Sequence, residues 1–144
     1  MFSTLSVLLV EDDHAFLETA KLMLSRIGFG RIEAVSDAES ARERLALMRY
    51  DLILSDWNME PTSGFDLLVY VRGEHRLVPT PFILMTANLS EEYWVAALDA
   101  GASDFLRKPF SFAALRDSIG IVLGARTGPG AGVVLIRTLR AAVG

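Results

Sequence analysis

The sequence predicts an α/β protein of the doubly wound kind, with a five-stranded parallel sheet covered by helices on both faces. Short apolar runs alternate with longer amphipathic stretches along most of the chain. The runs around Val7–Val10 and Leu52–Leu54 are almost wholly apolar, as strands buried on both faces require. Acidic, hydroxyl and lysine residues fall where the runs end, which is where such sheets collect their functional groups.

The elements follow in order. Val7 to Val10 reads as the first strand, and His14 to Ile27 as a helix with Leu17, Ala20, Leu24 and Ile27 at helical spacing. Gly28 and Gly30 stop that helix. Ile32 to Val35 is a second strand. Ser36 or Asp37 caps the next helix, whose apolar face includes Ala41, Leu45 and Met48. The third strand, Asp51 to Ser55, ends on Asp56. A loop containing Pro61 and Gly64 leads into a helix bearing Phe65, Leu68, Val69 and Val71. Pro79 and Pro81 punctuate the entry to a fourth strand, Phe82 to Met85. Ser90 and Glu92 open a helix through Leu98 that Gly101 ends. A short strand from Asp104 to Leu106 precedes Lys108-Pro109, and a last helix runs from Ser111 to Leu123. Right-handed crossovers close this order into a doubly wound fold.

Composition narrows the function classes. A chain of 144 residues, 51% hydrophobic and 22% charged, suits one packed domain. The absence of cysteine excludes disulfides, thiolate metal sites and cysteine nucleophiles. A net charge of −4 argues against a nucleic-acid partner. From Ala125 onward there are three arginines (Arg126, Arg137, Arg140) and no acid, so this +3 segment leaves −7 on the remainder. The apolar run Leu5–Val10 lacks a basic lead-in and meets Glu11-Asp12-Asp13 at once, unlike a secretion signal. No stretch approaches the ~20 apolar residues that span a bilayer, so a cytoplasmic location without membrane insertion is expected.

The strand ends assemble a coherent polar set. The first ends in Glu11-Asp12-Asp13, the third in Asp56 and the fourth in Thr86, and the fifth leads into Lys108. Three acids on neighbouring loops repel unless a cation sits among them. Oxygen-only ligands suit a hard divalent ion such as Mg²⁺. A lysine and a hydroxyl beside it suit a phosphoryl group. Taken singly, each residue has a plainer reading: Asp56 as a loop cap, the acidic run as helix N-terminal charge, Thr86 as a strand-end hydroxyl, Lys108 as a solvated charge and Phe105 as core. Their joint occurrence at four strand ends is what carries the argument.

The pattern resembles the receiver domain of two-component response regulators, in particular the single-domain, CheY-like chemotaxis type. The matching pieces are Val10-Glu11-Asp12-Asp13, Leu54-Ser55-Asp56-Trp57-Asn58-Met59, Met85-Thr86-Ala87, Gly101-Ala102-Ser103 and Lys108-Pro109-Phe110. Order and spacing agree from about Leu5 to Leu123. The resemblance implies a flavodoxin-like (βα)5 three-layer sandwich over residues 1–124, with residues 125–144 as a C-terminal extension. It implies Asp56 as phosphoacceptor, and Mg²⁺ held by Asp12, Asp56 and the backbone carbonyl of Asn58, with Glu11 acting through water. Asp13 ranks below that acidic pair. By the same resemblance Thr86 is the switch hydroxyl, Lys108 pairs with the phosphoryl group, and the Lys108–Pro109 peptide is cis. Phe105 stands where the family has an aromatic whose burial on phosphorylation alters the surface of the fourth helix, fifth strand and fifth helix. Asn58 and Asn88 occupy positions that tune loss of the phosphoryl group.

Implied partners are a sensor histidine kinase or histidine phosphotransfer protein as donor and a downstream target protein, with a homodimer possible. Self-phosphorylation and dephosphorylation are the only reactions expected, so the chain is a switch and not an enzyme acting on other substrates. The proline after Met59 is displaced by one residue from the common family form, to Pro61, while the spacing to Gly64 is kept. Altered loop contacts with retained function are expected.

Other classes fit less well. A phosphatase using an aspartyl-phosphate needs a second acid two places after the nucleophile, where this chain has Asn58. A flavodoxin-type cofactor protein needs a Ser, Thr and Gly loop after the first strand, where this one is acidic. Trp57 and Trp94 read as packing or partner-surface residues, and His14 and His75 as exposed. Gly124 to Gly132 reads as a flexible linker. The following Val133–Ile136 run with Arg137 and Arg140 makes the tail a candidate docking or dimerisation segment, or a holder of an anionic nucleotide messenger.

Overall fold

The computed structural model of the chain describes residues 3–88 and 90–125. The expectations for the linker and basic tail concern residues that lie almost wholly outside these. Five strands, β1 (Ser6–Val10), β2 (Arg31–Val35), β3 (Leu52–Asp56), β4 (Phe82–Thr86) and β5 (Asp104–Arg107), form one sheet in the order β2-β1-β3-β4-β5. All four pairings are parallel. Five helices alternate with them: α1 (His14–Ile27), α2 (Ala38–Leu47), α3 (Gly64–Gly73), α4 (Glu91–Ala100) and α5 (Phe112–Ala125). The doubly wound expectation holds. No helix among the described residues is long and apolar enough to cross a membrane.

Side chains alternate across β1, so its two faces feed two cores. Val7 and Leu9 join Leu52, Leu54, Ile83 and Met85 beneath Leu17, Ala20 and Leu24 of α1 and Leu115, Ile119 and Val122 of α5. Leu8 and Val10 join Ile53, Phe82 and Leu84 beneath Ala41 and Leu45 of α2, Leu67, Leu68 and Val71 of α3, and Ala97 of α4. The central strands are buried on both faces, as their unbroken apolar sequence requires.

The helix ends sit where the capping residues put them. Asp13 accepts the Phe16 amide at 3.2 Å, Asp37 that of Ser40 at 2.6 Å, Ser63 that of Asp66 at 3.1 Å and Ser111 that of Ala114 at 3.0 Å. Of the two candidate caps for α2, Asp37 takes the role. Gly28 and Gly101 close α1 and α4 at φ 112° and 94°, a left-handed backbone that favours glycine. Several bounds differ from expectation by one or two residues. Asp51 stands just before β3, where its carboxylate accepts the Ser6 amide at 2.8 Å; β4 and β5 each run one residue further, and α5 passes the expected 124/125 boundary by one residue. A single 3-10 turn at His75–Leu77 was not anticipated. His14 and His75 are exposed, as expected.

Candidate functional site

The connection after β1 runs outward to β2, and the connection after its neighbour β3 runs the opposite way to β4. Strand order reverses there, so the ends of β1 and β3 border a crevice. Glu11 directly follows β1, and Asp56 is the last residue of β3. Glu11 and Asp56 are buried, at 0% and 4% exposure, whereas Asp12 faces solvent. One carboxylate oxygen from each of these three residues lies within 4.8 Å of the other two.

Lys108 enters from the end of β5, where its backbone N–H donates to the Thr86 carbonyl at 2.8 Å. Its ammonium donates to Glu11 Oε1 at 2.8 Å and to Asp56 Oδ1 at 3.2 Å. The second oxygen of Glu11 accepts the Asp13 amide at 3.1 Å. Asp13 is thus given to capping α1 and steadying Glu11, in keeping with its lower rank among the acids. The Lys108–Pro109 peptide is cis, and so is Glu60–Pro61.

Burial dominates the electrostatics. It pushes the Glu11 and Asp56 carboxyls above their ordinary values, and the Lys108 contacts offset only part of that. Burial alone would lower Lys108; its bonds to Glu11 and its attraction to Asp56 outweigh this and raise it. Two buried acids thus share one ammonium.

Thr86 is fully buried at the end of β4. Its hydroxyl donates to Asn58 Oδ1 at 3.3 Å and accepts the Asn88 amide at 3.1 Å. The Asn88 side chain turns toward α4 and accepts the Ser90 amide at 2.9 Å. Asn58 therefore ties the loop after Asp56 to the switch candidate, while Asn88 shapes the entry to α4. Phe105 is buried and meets Trp57 edge-on, with ring centroids 6.2 Å apart.

Three features escaped the sequence reading. Trp57 stacks between Phe65 of α3 and Tyr93 of α4, at centroid distances of 5.0 and 4.4 Å, which resolves it as a packing residue beside Asp56. Phe16 of α1 lies with its ring 4.3 Å from the Lys108 ammonium. Arg72 of α3 gathers the loops at the other end of the sheet, and explains Ser103 in the Gly101-Ala102-Ser103 piece as one of its acceptors. None has a sequence signal beyond residue type, because each depends on which helix lies beside which loop.

Comparison with known proteins places this geometry. The response regulator receiver domain family matches residues 7–120. The chemotaxis protein CheY of Pseudomonas aeruginosa is 30% identical over 115 residues, which are 80% of this chain and 93% of that protein. The receiver domain of a signal transduction histidine kinase from Syntrophus aciditrophicus is 30% identical with a TM-score of 0.78, covering 87% of this chain and 94% of that one. The receiver domain of the sensor histidine kinase PA1611 from Pseudomonas aeruginosa, whose structure has a magnesium ion coordinated in the active site cleft, is 30% identical with a TM-score of 0.76 over 83% of this chain and 98% of that one. Strand order, the acid–lysine cluster at the reversal point and the family match over most of the length all agree: the chain belongs to the response regulator receiver domains of two-component signalling.

Proposed function

We propose that Asp56 is the phosphoacceptor of a Mg²⁺-dependent switch in a phosphorelay. The observation that carries this reading is the Lys108 ammonium held between Glu11 and Asp56 where three acids converge. The donor set is all oxygen, and three carboxyls face a single lysine, so a hard divalent cation fits. Asp12, Asp56 and the Asn58 backbone carbonyl would hold Mg²⁺. Glu11 would act through water, which suits a carboxylate whose two oxygens are engaged by Lys108 and Asp13. Once bound, the ion supplies charge neutralisation on the phosphoryl oxygens. The magnesium reported for the PA1611 receiver domain supports the assignment.

An Asp56 carboxylate oxygen attacks the phosphorus of a phosphohistidine on a sensor kinase or phosphotransfer protein, or of a small donor. With phosphohistidine, the O–P bond forms as the P–N bond breaks, and the imidazole leaves with its bonding pair and takes up a proton. Lys108 then turns an N–H from Asp56 to a phosphoryl oxygen. The Thr86 hydroxyl exchanges Asn58 for another phosphoryl oxygen, which draws on the β4–α4 loop and on α4. The resulting change across α4, β5 and α5 is read by a downstream target protein. Water attack on phosphorus later releases inorganic phosphate and restores the carboxylate, at a rate set in part by Asn58 and Asn88. The chain thus catalyses only its own phosphorylation and dephosphorylation.

Acetyl phosphate or phosphoramidate treatment with and without Mg²⁺, followed by intact mass, tests the reading. A Mg²⁺-dependent gain of one phosphoryl group by wild type, absent from Asp56→Ala, is expected. Equal gain by the variant, or none by folded wild type with Mg²⁺, overturns it.

A further inference from the structure

Lys108 has three ammonium N–H groups, and two point at carboxylates: Glu11 at 2.8 Å and Asp56 at 3.2 Å. The Phe16 ring covers the ammonium, with its centroid 4.3 Å from Nζ. That ring is itself fixed. It belongs to the first turn of α1, where the Phe16 amide donates to the capping Asp13 carboxylate at 3.2 Å. Phe110, two residues after Lys108, meets the ring edge-on at 5.4 Å and 89°. The Lys108 side chain keeps only 18% exposure between these partners.

From this geometry we propose that Phe16 is a positioning residue for Lys108, holding the ammonium over Asp56 through a cation–π contact. The proposal rests on the assignment of Asp56 as phosphoacceptor. The ring performs a task that neither a carboxylate nor an aliphatic side chain can. A third carboxylate would compete with the phosphoryl group for the ammonium and add charge to a pocket already rich in it. An aliphatic side chain would fill the space and leave the ammonium free to swing to solvent. The face of an aromatic ring attracts the cation without a directional acceptor. Lys108 can therefore pivot from Asp56 to the incoming phosphoryl oxygen while Glu11 and Phe16 keep it in place. The effect falls on the transition state, where phosphoryl charge is developing, more than on capture of the donor.

The test compares wild type, Phe16→Leu and Phe16→Tyr, each confirmed folded by circular dichroism. Initial phosphorylation rates are measured against phosphoramidate concentration with Mg²⁺. Phe16→Leu is expected to lower the maximal rate about fivefold, the size of a partly desolvated cation–π contact. Its half-saturating donor concentration should stay within about twofold of wild type, and Phe16→Tyr should restore the rate. A second readout needs no phosphorylation. In wild type and Phe16→Tyr, the methylene next to the Lys108 ammonium should show an upfield ring-current shift in lysine-labelled protein, and Phe16→Leu should lose it. An unchanged maximal rate in Phe16→Leu overturns the proposal, as does a Phe16→Tyr defect equal to that of Leu. So does a wild-type spectrum without the ring-current shift. Should wild type take up no phosphate, the phosphoacceptor assignment falls, and the ring-current shift still decides whether Phe16 holds Lys108.

Discussion

At the scale of single residues, the chemistry concentrates where the backbone leaves no slack. Gly64 opens α3 directly against β3, and a Cβ there would run into the Asp56 carbonyl oxygen and lie 2.8 Å from Ser55 Oγ. Its N–H donates to the Trp57 carbonyl at 2.9 Å, so the loop after Asp56 closes on this position. Gly64→Ala should therefore displace the β3–α3 loop and Asp56 with it, costing about 2 kcal/mol of stability. Phosphorylation by a small donor should slow at least roughly tenfold. Thermal melts and intact-mass time courses check this, and an alanine variant that melts and reacts like wild type contradicts it. The spacing from Asp56 to Gly64 was visible in the sequence; the reason for it, a carbonyl oxygen in the place of a side chain, was not. The same division holds across the site. Glu11, Asp12, Asp56, Thr86 and Lys108 were legible because strand ends announce themselves by abrupt changes from apolar to polar. Phe16 was not, since an aromatic in the first turn of an amphipathic helix looks like any other core residue. Only the approach of α1 to the end of β5 puts it against an ammonium.

At the scale of elements, the sheet determines which helices meet, and a few side chains tie them. Trp57 links β3 to α3 and α4 through its stack with Phe65 and Tyr93, so the residue after Asp56 touches the helix that the proposed switch would move. Arg72 does comparable work at the opposite end, where β4 and β5 begin. Its guanidinium donates to the carbonyls of Gly101, Val78 and Thr80 at 2.9, 3.1 and 2.8 Å, and to the Ser103 hydroxyl at 3.4 Å. The Ser103 hydroxyl in turn accepts the Phe82 amide at 3.0 Å. One fork-shaped cation thus joins α3 to the loops before both strands, and burial lowers its pKa from the usual arginine value. Arg72→Met should destabilise the domain by about 2–3 kcal/mol, since several acceptors lose their partner together. Arg72→Lys should recover little, because a single ammonium cannot span acceptors spread around a planar fork. Urea titrations measure the loss. Phosphorylation of the folded variants should be close to normal, as the clamp lies away from Asp56, and a variant as stable as wild type would refute the clamp. Element types and order were readable from periodicity, caps and glycine stops. The tie through Arg72 was not, because an arginine near the end of a helix ordinarily reads as a solvated charge.

At the scale of the whole molecule, the site opposes the stability of the fold that carries it. Glu11 and Asp56 have raised pKa values because burial outweighs the help from Lys108. The folded chain therefore binds protons more tightly than the unfolded chain. Their contribution to stability is greatest below the ordinary values of 4.5 and 3.8, and it declines as pH rises through those values toward the raised ones. Glu33 and Asp37 act in the opposite sense. Burial alone would raise Glu33, but bonds from Tyr50 and Arg44 lower it, and the Ser40 bonds lower Asp37; what they contribute is lost as pH falls through their depressed values. Lys108, raised by its carboxylate partners, stays charged well past neutrality and leaves this window unaffected. Without metal, then, Asp56→Asn should melt above wild type at pH 7.5, by roughly 2–4 °C, because it removes a buried charge that the fold accommodates poorly. The gap should narrow as pH falls and the wild-type carboxyl, its pKa raised by burial, takes up its proton. The proposed Mg²⁺ site needs its acids ionised, so the ion's effect should have the opposite pH dependence: at about ten times its dissociation constant it should add about 1.4 kcal/mol to wild type at pH 7.5, less as pH falls, and little to Asp56→Asn. Differential scanning fluorimetry over pH and Mg²⁺ measures all three trends. A wild-type protein whose gain from Mg²⁺ does not fall with pH would place the ion away from Glu11, Asp12 and Asp56, and would count against the proposed switch.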